Sequence, residues 1–338
     1  KVLEHISFAD LEEANTLIAD LRDNAPPMEV RFVVQAIAAK LGKDDGARTL
    51  KWLLENTTGT AENVALLKLA EQVADSNPEQ LPELFEDMPA GGATERAIGI
   101  AAEGWAKAAP EDAKNWILNL GDQQEQGSGW RGLIKGLSSV DPPLAAKYLE
   151  DAMDTGIFPD EERFWLANSA FGAWAKKDRD AAASRASEIG DAVALRVVAR
   201  SQVHRDFHWS IEKVQEIEDE ADRQYAITEL FDLVAADDPE KAFRFVVNSP
   251  REIGTPAAMR TVMLKWAHSN PEEASIEVRD MPPGPMRDMG ADALVVYLTR
   301  FGDYDSAAKW AAEIRDVALK ARALSWIEKG KEENAPSQ

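Results

Sequence analysis

The feature that most constrains this chain is an Asp or Asn, often followed by Pro, that returns about every 32 residues. Asn77-Pro78-Glu79, Asp141-Pro142-Pro143, Asp238-Pro239-Glu240 and Asn270-Pro271-Glu272 show its fullest form. Such a pair reads as a helix start. The side-chain oxygen accepts from the orphan N–H groups of the first turn, and Pro suits the first helical position, where no N–H is needed. The acid that follows favours the positive end of the helix dipole. Ten positions carry the signal: Asp10, Asp45, Asn77, Ala109, Asp141, Asp178, Asp206, Asp238, Asn270 and Asp303. They are separated by 35, 32, 32, 32, 37, 28, 32, 32 and 33 residues. Ala109 lacks the side chain but keeps Pro110 and Glu111. The fourth residue after each cap is Ala14, Thr49, Leu81, Ala113, Ala145, Ala182, Ser210, Ala242, Ala274 or Ala307, small everywhere except Leu81. A small side chain at one fixed register lets two helices approach closely.

An apolar helical pattern precedes each cap. Residues 96–108 place Ile98, Ile100, Ala101, Trp105 and Ala106 on it, and residues 257–266 place Val262, Met263 and Trp266. Four residues before the cap stand Trp105, Trp174 and Trp266, with Leu41, Val73, Leu137 and Val234 at the same register. That register is expected to be core. Each unit then reads as helix A, a tight turn holding the cap, and helix B. Breakers close helix B: Met88-Pro89-Ala90-Gly91-Gly92, Gly121, Gly190, Gly254 and Met281-Pro282-Pro283-Gly284-Pro285. A final helix A is expected near residues 317–329.

The stretch Phe301-Gly302-Asp303-Tyr304-Asp305-Ser306-Ala307 resembles the inter-helix turn of tetratricopeptide repeats, which carry Gly-Asp-Tyr-x-x-Ala there. Other units keep the Ala register but replace Gly-Asp-Tyr with Asp-Pro, and the family's Trp, Leu-Gly and Tyr pattern in helix A is not kept. Residues 266–287, with Trp-Ala, Asn-Pro, Ala and then Met-Pro and Arg, also resemble uncharacterised helical-repeat proteins of bacteria. The resemblance covers roughly residues 10–328 and implies protein or peptide binding on a concave face made by A helices. It supplies no site residues. Period and resemblance together predict an all-α fold, a right-handed α-solenoid (superhelix) of about nine antiparallel helix pairs with a period near 32 residues. Residues 1–25 are read as an N-terminal capping helix, 26–330 as one continuous array, irregular near 153–210, and 331–338 as a polar tail.

Composition narrows the partners. A net charge of -22 repels phosphate backbones, so no nucleic acid is expected, and any partner is expected to be a protein or peptide, a basic one by charge. Alternatively the acid is simply a solvated surface. No apolar run approaches a membrane span, so no insertion is expected. The absence of Cys removes disulfide and thiol chemistry. With a chain that starts at Lys1, it favours a periplasmic or secreted location.

No catalytic, cofactor or metal site is expected. His204 and His208 stand at i and i+4, a spacing that on one helix serves a shared metal. Asp206 between them is a predicted cap, so the two should straddle a turn. The acids are too numerous to single out a facing pair for glycoside chemistry. Gly42-Lys43 lacks the upstream Gly and the following Ser or Thr of a phosphate-binding loop. Gly127-Ser128-Gly129 reads as a flexible loop. An Arg early in many A helices (Arg31, Arg96, Arg163, Arg196, Arg223, Arg260, Arg287) is expected to pair with acidic helix ends of the preceding unit. Trp130, Trp165 and Trp209 fall outside the core register and are surface candidates beside His204 and His208. Phe158 joins them from the extra residues 153–161, because loops that interrupt a regular scaffold often carry function. The expected function is a non-catalytic scaffold. The alternative is an extracytoplasmic polysaccharide-acting enzyme or carbohydrate binder on a helical body.

Overall fold

A computed structural model describes residues 11–333, apart from the side chains of residues 11, 22–24 and 160. Asp10, His5 and most of the polar tail lie outside the described residues. Twenty α-helices and no strand are found among them. The chain divides into two compact units, Lys1–Lys177 and Asp178–Gln338. The first holds α1 (Leu11–Asn24), α2 (Pro27–Leu41), α3 (Gly46–Asn56), α4 (Gly59–Ser76), α5 (Leu81–Glu86), α6 (Gly92–Ala108), α7 (Pro110–Asn119), α8 (Gln123–Val140), α9 (Pro142–Asp154) and α10 (Asp160–Lys177). The second holds α11 (Arg179–Glu188), α12 (Ala192–Gln202), α13 (Phe207–Val214), α14 (Glu220–Asp237), α15 (Pro239–Asn248), α16 (Pro256–Ser269), α17 (Pro271–Asp280), α18 (Pro285–Arg300), α19 (Tyr304–Glu313) and α20 (Val317–Glu333). Lys331, Glu332 and Glu333 of the expected tail therefore belong to a helix.

All nine predicted caps within the described residues stand between an even-numbered helix and the odd-numbered helix that follows. Seven of them, Asp45, Asp141, Asp178, Asp206, Asp238, Asn270 and Asp303, accept a backbone N–H three residues on. At Asp45, Ala109, Asp141, Asp206, Asp238 and Asn270 the same residue also donates its own N–H to the carbonyl four residues back and accepts from the N–H four residues ahead. One residue thus ends helix A and begins helix B. It does so in one conformation, φ -145° and ψ 87° at Asp238 and φ -153° and ψ 84° at Asp206. Asp206 has no Pro after it, so the shared hydrogen bonding, rather than proline's restriction of its predecessor, sets the hinge.

Three junctions depart from the full pattern. Ala109 offers no side-chain acceptor, so its backbone bonds alone join the two helices. Asn77 turns its amide onto the Lys43 carbonyl, 2.7 Å away, and caps nothing. A short 3-10 turn at Pro78–Gln80 follows, Pro82 removes a further donor, and α5 is left with six residues. Asp303 follows Gly302 at φ +80°, and its N–H reaches the Leu298 carbonyl, a Schellman-type ending. The turn that resembles tetratricopeptide repeats is thus geometrically different from its Asp-Pro counterparts.

The small register is buried without exception: Thr49, Leu81, Ala113, Ala145, Ala182, Ser210, Ala242, Ala274 and Ala307. Four residues before the caps, Leu41, Val73, Trp105, Leu137, Val234 and Trp266 are buried, whereas Trp174 is half-buried and stacks on Phe171. The even helices pack in succession within each unit, α2 through α10 and α12 through α20, and odd helices fill the intervals between them. This is a sequentially packed helical array.

Glycine decides how tightly neighbouring even helices meet. A Cβ on Gly132 would lie 2.0 Å from the Gly99 carbonyl oxygen, and one on Gly136 2.4 Å from that of Glu103, so α6 and α8 touch backbone to backbone. The segment Gly127-Ser128-Gly129 is part of α8, with both glycines buried, and not a loop. It lies against the same seam: a Cβ on Gly99 would meet the Ser128 carbonyl oxygen at 3.2 Å. The extra residues 153–161 lengthen α9 to 13 residues and form a turn with Gly156 at φ +71°. The shortened unit after them has an α12 of 11 residues and an α13 of 8.

Candidate functional site

Oppositely charged side chains face each other across successive even helices at the repeat spacing. Glu103 meets Lys135 at 2.8 Å, Arg131 meets Glu162 at 2.7 Å, Arg196 meets Glu229 at 3.5 Å and Asp232 meets Lys265 at 3.2 Å. Three of the arginines expected to pair backward pair forward. Arg196 and Arg260 reach the next even helix, and Arg287 reaches Glu313 at the end of α19. The reason is geometric: successive even helices are direct neighbours, so residues one period apart lie side by side. Arg223 turns back, onto the carbonyls of Ile217 and Glu218.

The predicted surface residues do not converge. Trp130 is 1% exposed, edge-on to buried Tyr148, and Phe158 is buried beneath the Arg131 guanidinium. Both therefore leave the surface. Trp130 sits in the small-residue seam of α8, and Phe158 closes the turn after α9. Burial, with the Glu111 carboxylate nearby, pushes the Tyr148 phenol above its ordinary range, so it stays protonated. Trp165 is 69% exposed on α10, with the adjacent Phe164 edge-on to it. Trp209 is half-buried between Arg179 and Lys213, and its Nε1–H donates to Asp180 at 3.0 Å. His204 and His208 straddle the Asp206 turn as expected and go to different partners. His204 Nδ1 lies 3.1 Å from Asp237, whereas His208 packs edge-on against Phe207 and Phe245. Among the described residues no group of three or more His, Cys, Asp or Glu is placed to hold a metal.

A concavity lies elsewhere in the second unit, along α18 and α20 with one edge on α16. Three adjoining cavities of 640, 430 and 380 Å³ share lining residues and make one furrow. Met289 and Arg322 join the first to the second, and Val296 and Trp326 join the second to the third. The 16 residues of α18 set its length at about 24 Å. Its floor is apolar, formed by Ala257, Met289, Val296 and Ala323, and Trp326 stands over it 48% exposed.

The furrow is fixed by Asp292, a 2%-exposed carboxylate of α18 held between two guanidiniums. Arg260 Nε on α16 donates at 2.7 Å and Arg322 on α20 at 3.1 Å. One buried acid so ties three even helices together, and removing either arginine would take away one of its two charged partners. At one end, Asp288 accepts the backbone N–H groups of Arg315 and Asp316, and Asp316 in turn caps Leu319. At the other end, a Cβ on Gly330 would lie 2.6 Å from the Thr299 methyl, so α18 and α20 touch there and leave the stretch before it open. Sequence reasoning overlooked Trp326, Asp292 and Arg322. The available signal was opposite charge at the repeat spacing, Arg260 to Asp292.

Comparison with known proteins adds little. No family model and no curated protein sequence matches this chain. A crystal structure of Ton1535 from Thermococcus onnurineus NA1 aligns with 94% of this chain and 98% of its own length, at 16% identity and a TM-score of 0.26. A likeness at that score carries no argument about this chain. What stands on the structure alone is an all-helical protein in which, among the described residues, no helix is long and apolar enough to cross a membrane.

Proposed function

We propose that this chain is a non-catalytic scaffold that docks a protein or peptide segment on its even-helix layer, with the α16–α18–α20 furrow as the seat. The observation that carries the reading is the furrow itself, with an apolar floor, a half-exposed Trp326 over it and polar groups at both ends. Exposed aromatics flanked by polar groups are the usual anchors of such interfaces. The furrow's carboxylates support binding over acid–base work, because Asp288, Asp292 and Asp316 are each tied to N–H donors of the protein. The same reading takes each unit's helix pairs to be antiparallel and stacked with the right-handed sense of tetratricopeptide arrays.

The test is selection from a displayed random dodecapeptide library on the intact chain, with the Trp326→Ala variant as counter-target. The expected result is a set of enriched peptides whose affinity falls at least tenfold on Trp326→Ala. No enrichment, or enrichment that ignores Trp326, would overturn the reading.

A further inference from the structure

The net charge of -22 suggests a cationic partner, but the local chemistry of the furrow points the other way. Its buried acids are already spent. Asp292 is shared by two arginines and Asp288 accepts two backbone N–H groups, while the exposed Asp316 accepts that of Leu319. The cations are not. Arg315 lines one end and Arg300 the other, and neither forms an ion pair among the described residues. Lys329 reaches only Glu333, at 3.7 Å with both side chains two-thirds exposed, a contact that holds neither. Arg322 is 60% exposed beyond its single bond to Asp292, which leaves most of its donor fork facing the furrow.

An apolar centre with cationic donors at both ends is a complement to a single kind of segment.

We propose that the furrow binds an acidic peptide segment, one large apolar side chain seated against Trp326 and Val296 and carboxylates on either side of it reaching Arg300 and Lys329 at one end and Arg315 and Arg322 at the other. This rests on the docking reading above and specifies the chemistry of its occupant. The long-range repulsion of the acidic chain does not prevent it. At about 0.15 M salt the screening length is about 8 Å, so the groups in contact decide the sign.

The test takes a Trp326-dependent peptide from the selection and compares it with two synthetic analogues, one with every Asp and Glu replaced by its amide and one with each replaced by Lys. Affinities are read by fluorescence polarisation at about 0.15 M salt. The expected results are Asp and Glu flanking an apolar residue in the selected peptides, and at least tenfold weaker binding by the amide form. A still weaker Lys form is expected, with at least a tenfold loss on Arg300→Gln/Arg315→Gln. Arg300 and Arg315 are exposed, so that double variant keeps its fold. Trp326-dependent peptides that are basic, or amide analogues that bind as well as the acidic parent, would overturn the acidic occupant and leave the docking reading standing. Selection insensitive to Trp326 would remove both.

Discussion

Asp238 ends α14 with its backbone N–H and starts α15 with its carboxylate, so its two roles are separable by mutation. Asp238→Ala keeps the backbone bonds and loses the cap, which costs about 1 kcal/mol, whereas Asp238→Asn caps nearly as well. Urea unfolding should show a lowered midpoint for the first and a near wild-type midpoint for the second. Asp206 adds a pH signature. The Trp209 N–H, opposed in part by desolvation and reinforced by Arg179, holds its carboxyl below the ordinary value of 3.8. Asp303 is lowered in the same direction, by the N–H and hydroxyl of Ser306. A carboxyl whose folded pKa is depressed contributes its stability above the unfolded value and loses it as pH falls through the folded one. Melting temperatures of wild type and Asp206→Asn should therefore keep a constant difference from neutral pH down to about pH 4 and converge below it. A difference unchanged down to pH 2 would show that the carboxylate charge adds nothing at this cap.

At the scale of elements, the helix junctions were legible in the sequence because capping is local chemistry: the acceptor, the proline and the small residue all lie within five positions of one another. The seams between even helices were not legible. Gly127-Ser128-Gly129 has the composition of a flexible loop, yet those residues belong to a helix that needs small side chains against its neighbour. The forward pairing of arginines and the exposure of Trp326 likewise depend on how far apart two helices lie, which no single segment encodes. Two glycine substitutions separate the causes involved. Gly132→Ala drives a Cβ to 2.0 Å from a backbone carbonyl oxygen. That clash forces α6 and α8 apart at a cost of about 3 kcal/mol. Gly302→Ala meets nothing within 4 Å but holds φ at +80°, and the strain alone costs about 1 kcal/mol. Equal losses for the two, measured by thermal or urea unfolding, would contradict the backbone contact of α6 and α8.

At the scale of the whole molecule, each of the two units is a succession of even helices stitched by ion pairs one period apart, and an open seam of the second unit is the proposed seat for another chain. Many of the acidic residues stand as helix caps or in first turns. The most direct measurement is hydrogen–deuterium exchange of the intact chain with and without a saturating selected peptide. Bound ligand raises the cost of local opening where it sits. The account predicts slowed exchange in α18 and α20, with α16 affected near Arg260, and no change around Trp165 or Trp209. Protection centred on α10 or on α11–α13, with α18 and α20 unchanged, would contradict it.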